Sequence, residues 1–300
     1  MTAGIAGVSA FPLTPLADDR LDEDALGRRI ARIAQSGVDS ITVLGSTGSG
    51  PYLSEAERRA AVQIAVEHSG EVPVYVGIGA LRTRDAIRHG ETAQDAGAEA
   101  VLLPPLAYQP LTDEEVVGLY ADVANAVELP LIVYDNPRTT GVTFTDEMYR
   151  SVAALPRVAS VKTPGSAATA TQGRIDALRS LLPQTVTVGF SGDAFAASAL
   201  LAGADAWYSV IAGAFPETAL RLARAARAGD ARTAVDETAR LQPLWDAFAA
   251  YGSVRVVATI AEALGQTGAG SLPRPLRALG GEARVSVLGL VTRLGLDGDG

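Results

Sequence analysis

The chain has 300 residues, of which 48% are hydrophobic and 20% are charged, so it is long enough for one barrel-sized domain with an appendage. Its net charge of −9 offers no basic stripe that would neutralise phosphates, which excludes nucleic acid as a partner. It contains no cysteine, so disulfides, thiol nucleophiles and zinc–thiolate sites are excluded together.

The first predicted strand covers residues 5–12, and seven more short apolar runs follow at similar intervals. Their starting positions lie 20 to 35 residues apart, which is typical of strand–helix units rather than of hairpins. Eight such units predict an α/β fold in which a parallel sheet closes into a (β/α)8 TIM barrel. The other seven predicted strands cover residues 40–44, 73–78, 100–103, 131–134, 159–162, 186–190 and 206–211.

Helix signals occupy the segments between these strands. Apolar residues recur at helical spacing in 21–37, and Ser54 with Glu57 forms a capping box at the start of the next helix. After the eighth strand, helical patterns cover 216–228, 232–251, 254–264 and 283–294, which is more than one barrel unit requires. We therefore predict two domains, the barrel over residues 1–224 and a C-terminal helical domain over residues 225–300.

Membrane and metal sites are not indicated by the sequence. The N-terminus lacks the pattern of a signal peptide, and no apolar run reaches the ~18 residues that a membrane span requires. The two histidines, His68 and His89, fall in predicted helices, where we expect solvated positions. We therefore predict a cytoplasmic protein with no membrane partner and no metal.

Only one of the 25 basic side chains is a lysine, Lys162, and the others are arginines. A primary amine can lose its proton and attack a carbonyl, whereas guanidinium stays protonated. Lys162 ends an apolar strand that Thr163-Pro164-Gly165 interrupts, and burial there would lower its pKa. These features favour a Schiff-base lysine over a salt-bridged lysine left in an arginine-rich composition.

Three sequence features are expected at the carboxyl ends of the barrel strands, where the chemistry of such barrels is found. Residues 45–50, Gly-Ser-Thr-Gly-Ser-Gly, follow the second strand, Tyr134 ends the fifth, and Lys162 ends the sixth. A glycine-flanked turn lets backbone N–H groups converge on a carboxylate, although such a turn is also common as a purely structural connection. Tyr134 is either a packing residue or a proton carrier beside Lys162.

Several motifs together resemble the dihydrodipicolinate synthase / N-acetylneuraminate lyase family, in order and in spacing over nearly the whole chain. They are Gly45-Ser46-Thr47-Gly48, Leu53-Ser54-x-x-Glu57-Arg58, Tyr134-Asp135-Asn136-Pro137, Val161-Lys162, Ser191-Gly192-Asp193 and Arg274-Pro275-Leu276. The resemblance implies a (β/α)8 barrel with a C-terminal helical domain, a homo-oligomer (tetramer or dimer), and class I aldolase chemistry.

The same resemblance implies roles for individual residues. Lys162 forms an imine with a 2-keto acid, typically pyruvate, Tyr134 relays protons, and the turn at Ser46 and Thr47 holds the carboxylate. No cofactor is expected, because the imine itself withdraws electrons. The expected catalytic residues are Lys162, Tyr134 and Thr47, and the expected substrate-binding residues are Ser46, Thr47, Gly48, Thr139, Ser191 and Tyr208.

Four departures from the family pattern lead us to expect poor dihydrodipicolinate synthase activity. Thr139 occupies the position of the arginine that binds the carboxylate of aspartate semialdehyde, and Arg138 comes one residue early. The segment Pro105-Leu106-Ala107-Tyr108 lacks the tyrosine that serves the neighbouring subunit. Ser49 replaces a glutamate, and Tyr208 replaces a small aliphatic residue.

The expected function is a lyase or aldolase that joins a 2-keto acid to an aldehyde or cleaves the product. The same imine would serve a keto-deoxy sugar acid dehydratase or hydratase-aldolase, and 4-hydroxy-tetrahydrodipicolinate synthase activity is a further alternative. A catalytically inactive barrel that binds a keto acid is the alternative outside enzymes, although such a binder could use arginine in place of Lys162.

Overall fold

The computed structural model describes residues 4–166 and 168–298 of the chain. Eight parallel strands close into a barrel in the order β1-β10-β9-β8-β7-β6-β5-β4, with β1 also paired to β4. A two-stranded hairpin, β2–β3, lies outside the barrel. The strands are β1 (Gly7–Ala10), β2 (Leu16–Ala17), β3 (Arg20–Leu21), β4 (Ser40–Val43), β5 (Val74–Gly77), β6 (Ala100–Leu103), β7 (Leu131–Tyr134), β8 (Val158–Pro164), β9 (Thr187–Ser191) and β10 (Ala206–Ser209).

Helices alternate with the barrel strands and then continue without further strands. The C-terminal region after α9 is helical, with α10 to α13. The helices are α1 (Glu23–Gln35), α2 (Glu55–His68), α3 (Thr83–Asp95), α4 (Asp113–Ala126), α5 (Pro137–Thr140), α6 (Asp146–Ala153), α7 (Ala168–Leu181), α8 (Ala196–Leu201), α9 (Pro216–Arg227), α10 (Ala231–Arg240), α11 (Gln242–Tyr251), α12 (Ser253–Ala263) and α13 (Gly281–Arg293).

The barrel strands are buried on both faces because helices cover the outside and side chains fill the inside. All four residues of each of β4, β5, β6 and β7 are buried. Some polar groups inside the barrel are paired with each other, as in the 2.7 Å hydrogen bond between the hydroxyls of Ser9 and Thr42. The predicted (β/α)8 barrel with a C-terminal helical region is confirmed.

The structure corrects the predicted helix over 232–251. The helix is two helices, α10 and α11, because Pro243 lacks an N–H and fits only the first turn of a new helix. The boundary at 224/225 falls inside α9, whose end is set by Gly229 with φ of +76°. The division of the chain into two domains stays a prediction.

The two histidines have different environments. His68 is exposed at the end of α2, as expected. His89 is half-buried, with Nδ1 3.3 Å from the carbonyl oxygen of Ile78, and burial lowers the pKa of His89 to about 4. The prediction of a solvated position is therefore wrong for His89, which is neutral at pH 7.

Candidate active site

Lys162 and Tyr134 lie side by side at the carboxyl ends of β8 and β7. The two residues are directly opposite each other in the strand register, and Asp135 N donates a 2.8 Å hydrogen bond to the Lys162 carbonyl oxygen. Lys162 Nζ lies 4.0 Å from the centroid of the Tyr134 ring. Both side chains are buried, with 4% and 1% of their surface exposed. The expected pairing of the only lysine with this tyrosine is therefore present.

Burial makes the amine of Lys162 more acidic than a surface amine. Desolvation lowers the pKa of Lys162 below its ordinary value of 10.5, although the nearby Tyr134, Asp135 and Asp193 side chains oppose the shift. A larger fraction of the amine is therefore unprotonated at neutral pH, and the unprotonated amine is the form that attacks a carbonyl.

The hydroxyl of Tyr134 is surrounded by polar side chains. It donates to Ser46 Oγ at 3.2 Å and accepts from Asn136 Nδ2 at 3.3 Å. Burial alone would raise the pKa of Tyr134, but the Lys162 ammonium and hydrogen bonds to Ser46, Thr139 and Asn136 outweigh it and lower the pKa. The Tyr134 phenol is therefore a stronger acid than an ordinary tyrosine.

The turn over residues 45–50 is held in a strained conformation beside these residues. Leu44, just before the turn, and Ser49, within it, have φ of +57° and +53°, values that residues other than glycine rarely adopt. A Cβ on Gly48 would lie 2.8 Å from the Leu44 nitrogen, so only glycine fits there. The buried Arg58 guanidinium fixes the turn from behind, donating 2.6 Å hydrogen bonds to the carbonyl oxygens of Gly50 and Gly77.

Donor groups in this turn are available to a ligand. Its internal main-chain hydrogen bonds use the N–H groups of Ser49 and Gly50. The N–H groups of Thr47 and Gly48 have no acceptor among residues 4–166 and 168–298. Ser46 adds its hydroxyl, which already contacts Tyr134. Two free backbone N–H groups and a hydroxyl on one turn are suited to a carboxylate without an arginine or lysine.

The expected substrate-binding residues fall into two groups. Ser46 and Thr139 line a small, partly open cavity together with Tyr134. Tyr208 does not line it: its hydroxyl is 2.7 Å from Ser160 Oγ, deeper in the barrel. Ser191 lies at the end of β9, where its hydroxyl donates to the Thr163 carbonyl oxygen at 3.4 Å.

Tyr208 is buried for a packing reason that the sequence did not indicate. Its ring lies over Gly189, where a Cβ would be 2.4 Å from Tyr208 Cε2. The centroids of the Tyr208 and Phe11 rings are 6.0 Å apart, and the two rings are nearly perpendicular. The hydroxyl then bonds to Ser160, one barrel layer below Lys162. The expected contribution of Tyr208 to the wall of the pocket is therefore replaced by a contribution to the barrel core.

Sequence reasoning missed a cluster behind Lys162. Asp135 Oδ2 accepts hydrogen bonds from the Tyr149 hydroxyl at 2.5 Å and from the Thr163 hydroxyl at 3.3 Å. Burial raises the pKa of Asp135, and its Oδ1 has no hydrogen-bond partner within the described part of the chain. Because side chains alternate along a strand, Asp135 and Thr163 face outward while Tyr134 and Lys162 face the barrel interior.

Asp193 is also near Lys162, but its carboxylate is occupied. Oδ1 accepts from Trp207 Nε1 at 3.0 Å and Oδ2 accepts from the Ile211 N–H at 2.9 Å. Burial raises the pKa of Asp193 to about 6. Its two oxygens therefore join the segment after β9 to β10 and to the segment that follows β10.

The described residues form neither a metal-binding cluster nor a membrane-spanning helix. Within the described ranges, no three histidine, aspartate or glutamate side chains are grouped closely enough to hold a metal ion. None of the helices in this part of the chain is long and apolar enough to cross a membrane.

Residues 4–293 match the model of the Dihydrodipicolinate synthetase family. The chain belongs to this family. Members of the family are lyases of the aldolase type, and this chain is such a lyase.

Individual members of the family resemble the chain over most of its length. A 4-hydroxy-tetrahydrodipicolinate synthase of Methylococcus capsulatus is 33% identical over 81% of this chain and 82% of its own. A DapA-like lyase of Halobacterium salinarum is 32% identical over 98% and 95%. The crystal structure of a dihydrodipicolinate synthase from Agrobacterium tumefaciens superposes with a TM-score of 0.93 at 42% identity, covering 96% of this chain and 98% of that one.

The departures from the family pattern have visible structural counterparts. Arg138 is exposed on α5 and has no ion pair with any residue that the structure describes, while its neighbour Thr139 lines the cavity. Tyr108 projects into solvent with 89% of its surface exposed, while Leu106 lines the cavity. The positions that would carry a charge or a phenol in the synthase pattern therefore contribute a hydroxyl and a hydrocarbon group here.

Proposed function

We propose that the protein is a class I aldolase in which Lys162 forms an imine with a 2-keto acid, pyruvate in the simplest case. One observation carries the proposal: the amine of the only lysine is buried against the Tyr134 ring, with its pKa lowered by desolvation. An amine in this state attacks a keto group at neutral pH, whereas a surface lysine is mostly protonated.

The turn over residues 45–50 supplies the binding site for the keto acid carboxylate in this proposal. The N–H groups of Thr47 and Gly48 and the hydroxyl of Ser46 point to a site for an anion beside Tyr134. A carboxylate held there would bring the adjacent keto carbon toward Lys162. The net charge of the chain is −9, so local donors rather than the overall field must attract the anion.

Tyr134 carries the proton in the carbon–carbon bond-forming step. The protonated imine withdraws electrons, the methyl carbon of pyruvate gives a proton to the deprotonated Tyr134 oxygen, and the resulting enamine attacks the aldehyde carbon. The electron pair of the aldehyde C=O moves to oxygen, which takes the proton of the Tyr134 hydroxyl. Hydrolysis of the imine releases a 4-hydroxy-2-oxo acid and restores the amine, and cleavage follows the reverse order.

Intact-protein mass spectrometry after incubation with pyruvate and borohydride tests the proposal. Borohydride reduces an imine to a stable amine, so we expect a single pyruvyl adduct that maps to Lys162. The Lys162→Arg variant keeps the positive charge but should form no adduct and should lose at least ~1,000-fold in turnover. Equal turnover in Lys162→Arg would remove the amine from the mechanism.

We further propose that the protein is a cytoplasmic homo-oligomer, a tetramer or a dimer. Three large apolar side chains, Tyr52, Leu81 and Tyr108, are 53%, 70% and 89% exposed on the loops after the adjacent strands β4, β5 and β6. An apolar rim of this kind is suited to a second copy of the chain. The absence of cysteine is compatible with a reducing compartment.

A further inference from the structure

The cavity beside Tyr134 has one polar side and one apolar side. Ser46, Tyr134 and Thr139 supply hydroxyl groups on the polar side. Most of the remaining wall consists of hydrocarbon side chains from the turn after β4 and from β6 and the loop that follows it. These side chains belong to Leu44, Pro51, Leu102, Pro104 and Leu106.

No charged side chain of the described residues lines this cavity. Arg138, which precedes the lining residue Thr139 in the sequence, is exposed to solvent on α5 and does not contribute to the wall. The donors of the turn over residues 45–50 are assigned to the carboxylate of the keto acid, so a second carboxylate against the hydrocarbon wall would lose its hydration without gaining a cationic partner. A hydrocarbon group placed there would instead leave water for an apolar surface.

The position of the Tyr134 hydroxyl relates the cavity to the reacting atoms. Lys162 Nζ lies against the Tyr134 ring, while the hydroxyl of the same residue faces Ser46 and the cavity. An aldehyde whose oxygen accepts the Tyr134 proton therefore extends its substituent along the apolar wall. The wall residues then determine which aldehydes bind.

We propose that the second substrate is an uncharged aldehyde with an apolar substituent, which occupies the part of the cavity lined by Leu44, Leu102 and Leu106. The inference depends on the proposed function, because the enamine on Lys162 is the nucleophile. The aldol step is the one described above: a bond forms between the enamine carbon and the aldehyde carbon, and the aldehyde oxygen takes the Tyr134 proton.

A pair of aldehydes of matched shape tests the inference. In 4-methylpentanal an isopropyl group takes the place of the carboxylate in 4-oxobutanoate, and glyceraldehyde serves as a polyhydroxy probe. We expect kcat/KM of the full-length protein with pyruvate to be at least about tenfold higher for 4-methylpentanal than for either of the others. Product formation is followed by NMR. An equal or higher value for 4-oxobutanoate or glyceraldehyde overturns the inference.

Two variants distinguish the effect of the cavity wall on substrate preference from the effect of Arg138. Leu106→Arg introduces a cation into the wall, so the preference for 4-methylpentanal over 4-oxobutanoate should fall at least about tenfold. Arg138→Ala should leave that preference within about twofold of wild type, because Arg138 does not contribute to the wall. A selective loss of 4-oxobutanoate turnover in Arg138→Ala would show that Arg138 enters the cavity and would overturn the inference.

Trapping the pyruvate adduct in the same preparations distinguishes a failure of the apolar-aldehyde inference from a failure of the proposed function. A normal adduct at Lys162 with a preference for 4-oxobutanoate rejects the apolar aldehyde and leaves the proposed function intact. A normal adduct with no product from 4-methylpentanal also rejects it. The absence of an adduct rejects the proposed function, and the inference with it. Leu106→Arg must form the adduct at the wild-type level, which shows that the amine site is undamaged.

Discussion

Burial is the physical cause of the reactivity that we assign to Lys162. An ammonium ion inside the barrel loses most of its hydration, and the opposing contributions of Tyr134, Asp135 and Asp193 do not restore its ordinary pKa. Arginine cannot respond in this way, because guanidinium remains protonated.

The pH dependence of imine formation follows from the direction of this shift. The unprotonated amine is the reactive form, so the trapping rate should rise with pH through the lowered pKa of Lys162 and level off below pH 10.5. The measurement is the initial rate of the pyruvate adduct under borohydride across a pH series. A midpoint at or above 10.5 would contradict the lowered pKa.

Removing only the hydroxyl of Tyr134 should separate imine formation from later proton transfer. Tyr134→Phe keeps the ring against Lys162 but removes the proton carrier, so turnover should fall about 100- to 10,000-fold while the adduct still forms. Single-turnover kinetics measure the two steps. Tyr251→Phe, at the end of α11, is the control and should behave as wild type. Retained turnover in Tyr134→Phe would argue against the relay.

The sequence indicates which residues lie on the inner face of the barrel but not how far along the barrel axis their side chains lie. Lys162 and Tyr134 were predicted as neighbours because both end adjacent strands, and the register confirms it. Tyr208 was expected at the pocket but turns toward Ser160, because Gly189 leaves room for its ring. Alternation along a strand gives the face of a side chain, not its direction along the barrel axis.

Among the structural elements, α6 is tied to the barrel behind Lys162 through the cluster of Asp135, Tyr149 and Thr163. Tyr149 lies on α6, Asp135 follows β7, and Thr163 belongs to β8. The hydrogen bonds that these residues form join one helix to two strands. The cluster therefore supports the strand ends that carry Tyr134 and Lys162.

Tyr149→Phe should destabilise the protein through this cluster. The change removes the 2.5 Å hydrogen bond to the buried Asp135 carboxylate, and hydrogen bonds to charged groups contribute about 1.5–3 kcal/mol each. We expect the free energy of unfolding to fall by about 2 kcal/mol in urea titrations. Tyr251→Phe should change it by less than ~0.5 kcal/mol. A similarly small change in Tyr149→Phe would show that the bond contributes little.

Element boundaries were predicted unevenly, for reasons visible in single residues. The capping box of Ser54 and Glu57 fixed the start of α2, and both of its hydrogen bonds are present. The division between α10 and α11 was missed because apolar residues keep a helical spacing across Leu241 while Pro243 changes the backbone. The hairpin β2–β3 was missed because two-residue strands are too short to show a period.

For the whole molecule, the C-terminal region is attached to the rim of the barrel that carries the site. Ser271 accepts a 3.0 Å hydrogen bond from Leu16 N in the hairpin β2–β3. Glu262 in turn accepts from the backbone N–H groups of Gly270 and Ser271. Hydrophobic periodicity predicted the helices of this region, but contacts between distant segments depend on tertiary packing and left no local signal.

Assembly should respond to a charge placed on the apolar rim. Leu81→Asp puts a carboxylate among Tyr52 and Tyr108, so the dissociation constant of the oligomer should rise at least about 100-fold, roughly 2.7 kcal/mol. Light scattering coupled to size exclusion measures the mass over a concentration series. Val285→Asp, on the exposed side of α13, is the matched control. Dissociation in Val285→Asp alone would place the interface elsewhere.

The burial of the single lysine inside β8 also makes the chain a reporter of its own opening. Endoproteinase Lys-C cleaves after lysine, so it has one site in this sequence, between residues 162 and 163. That peptide bond lies in a strand paired on both sides and becomes accessible only when β8 leaves the barrel. Under native conditions the rate at which two fragments appear therefore measures how often the barrel opens, because each molecule is cut once. A keto acid reduced onto Lys162 would prevent the cleavage.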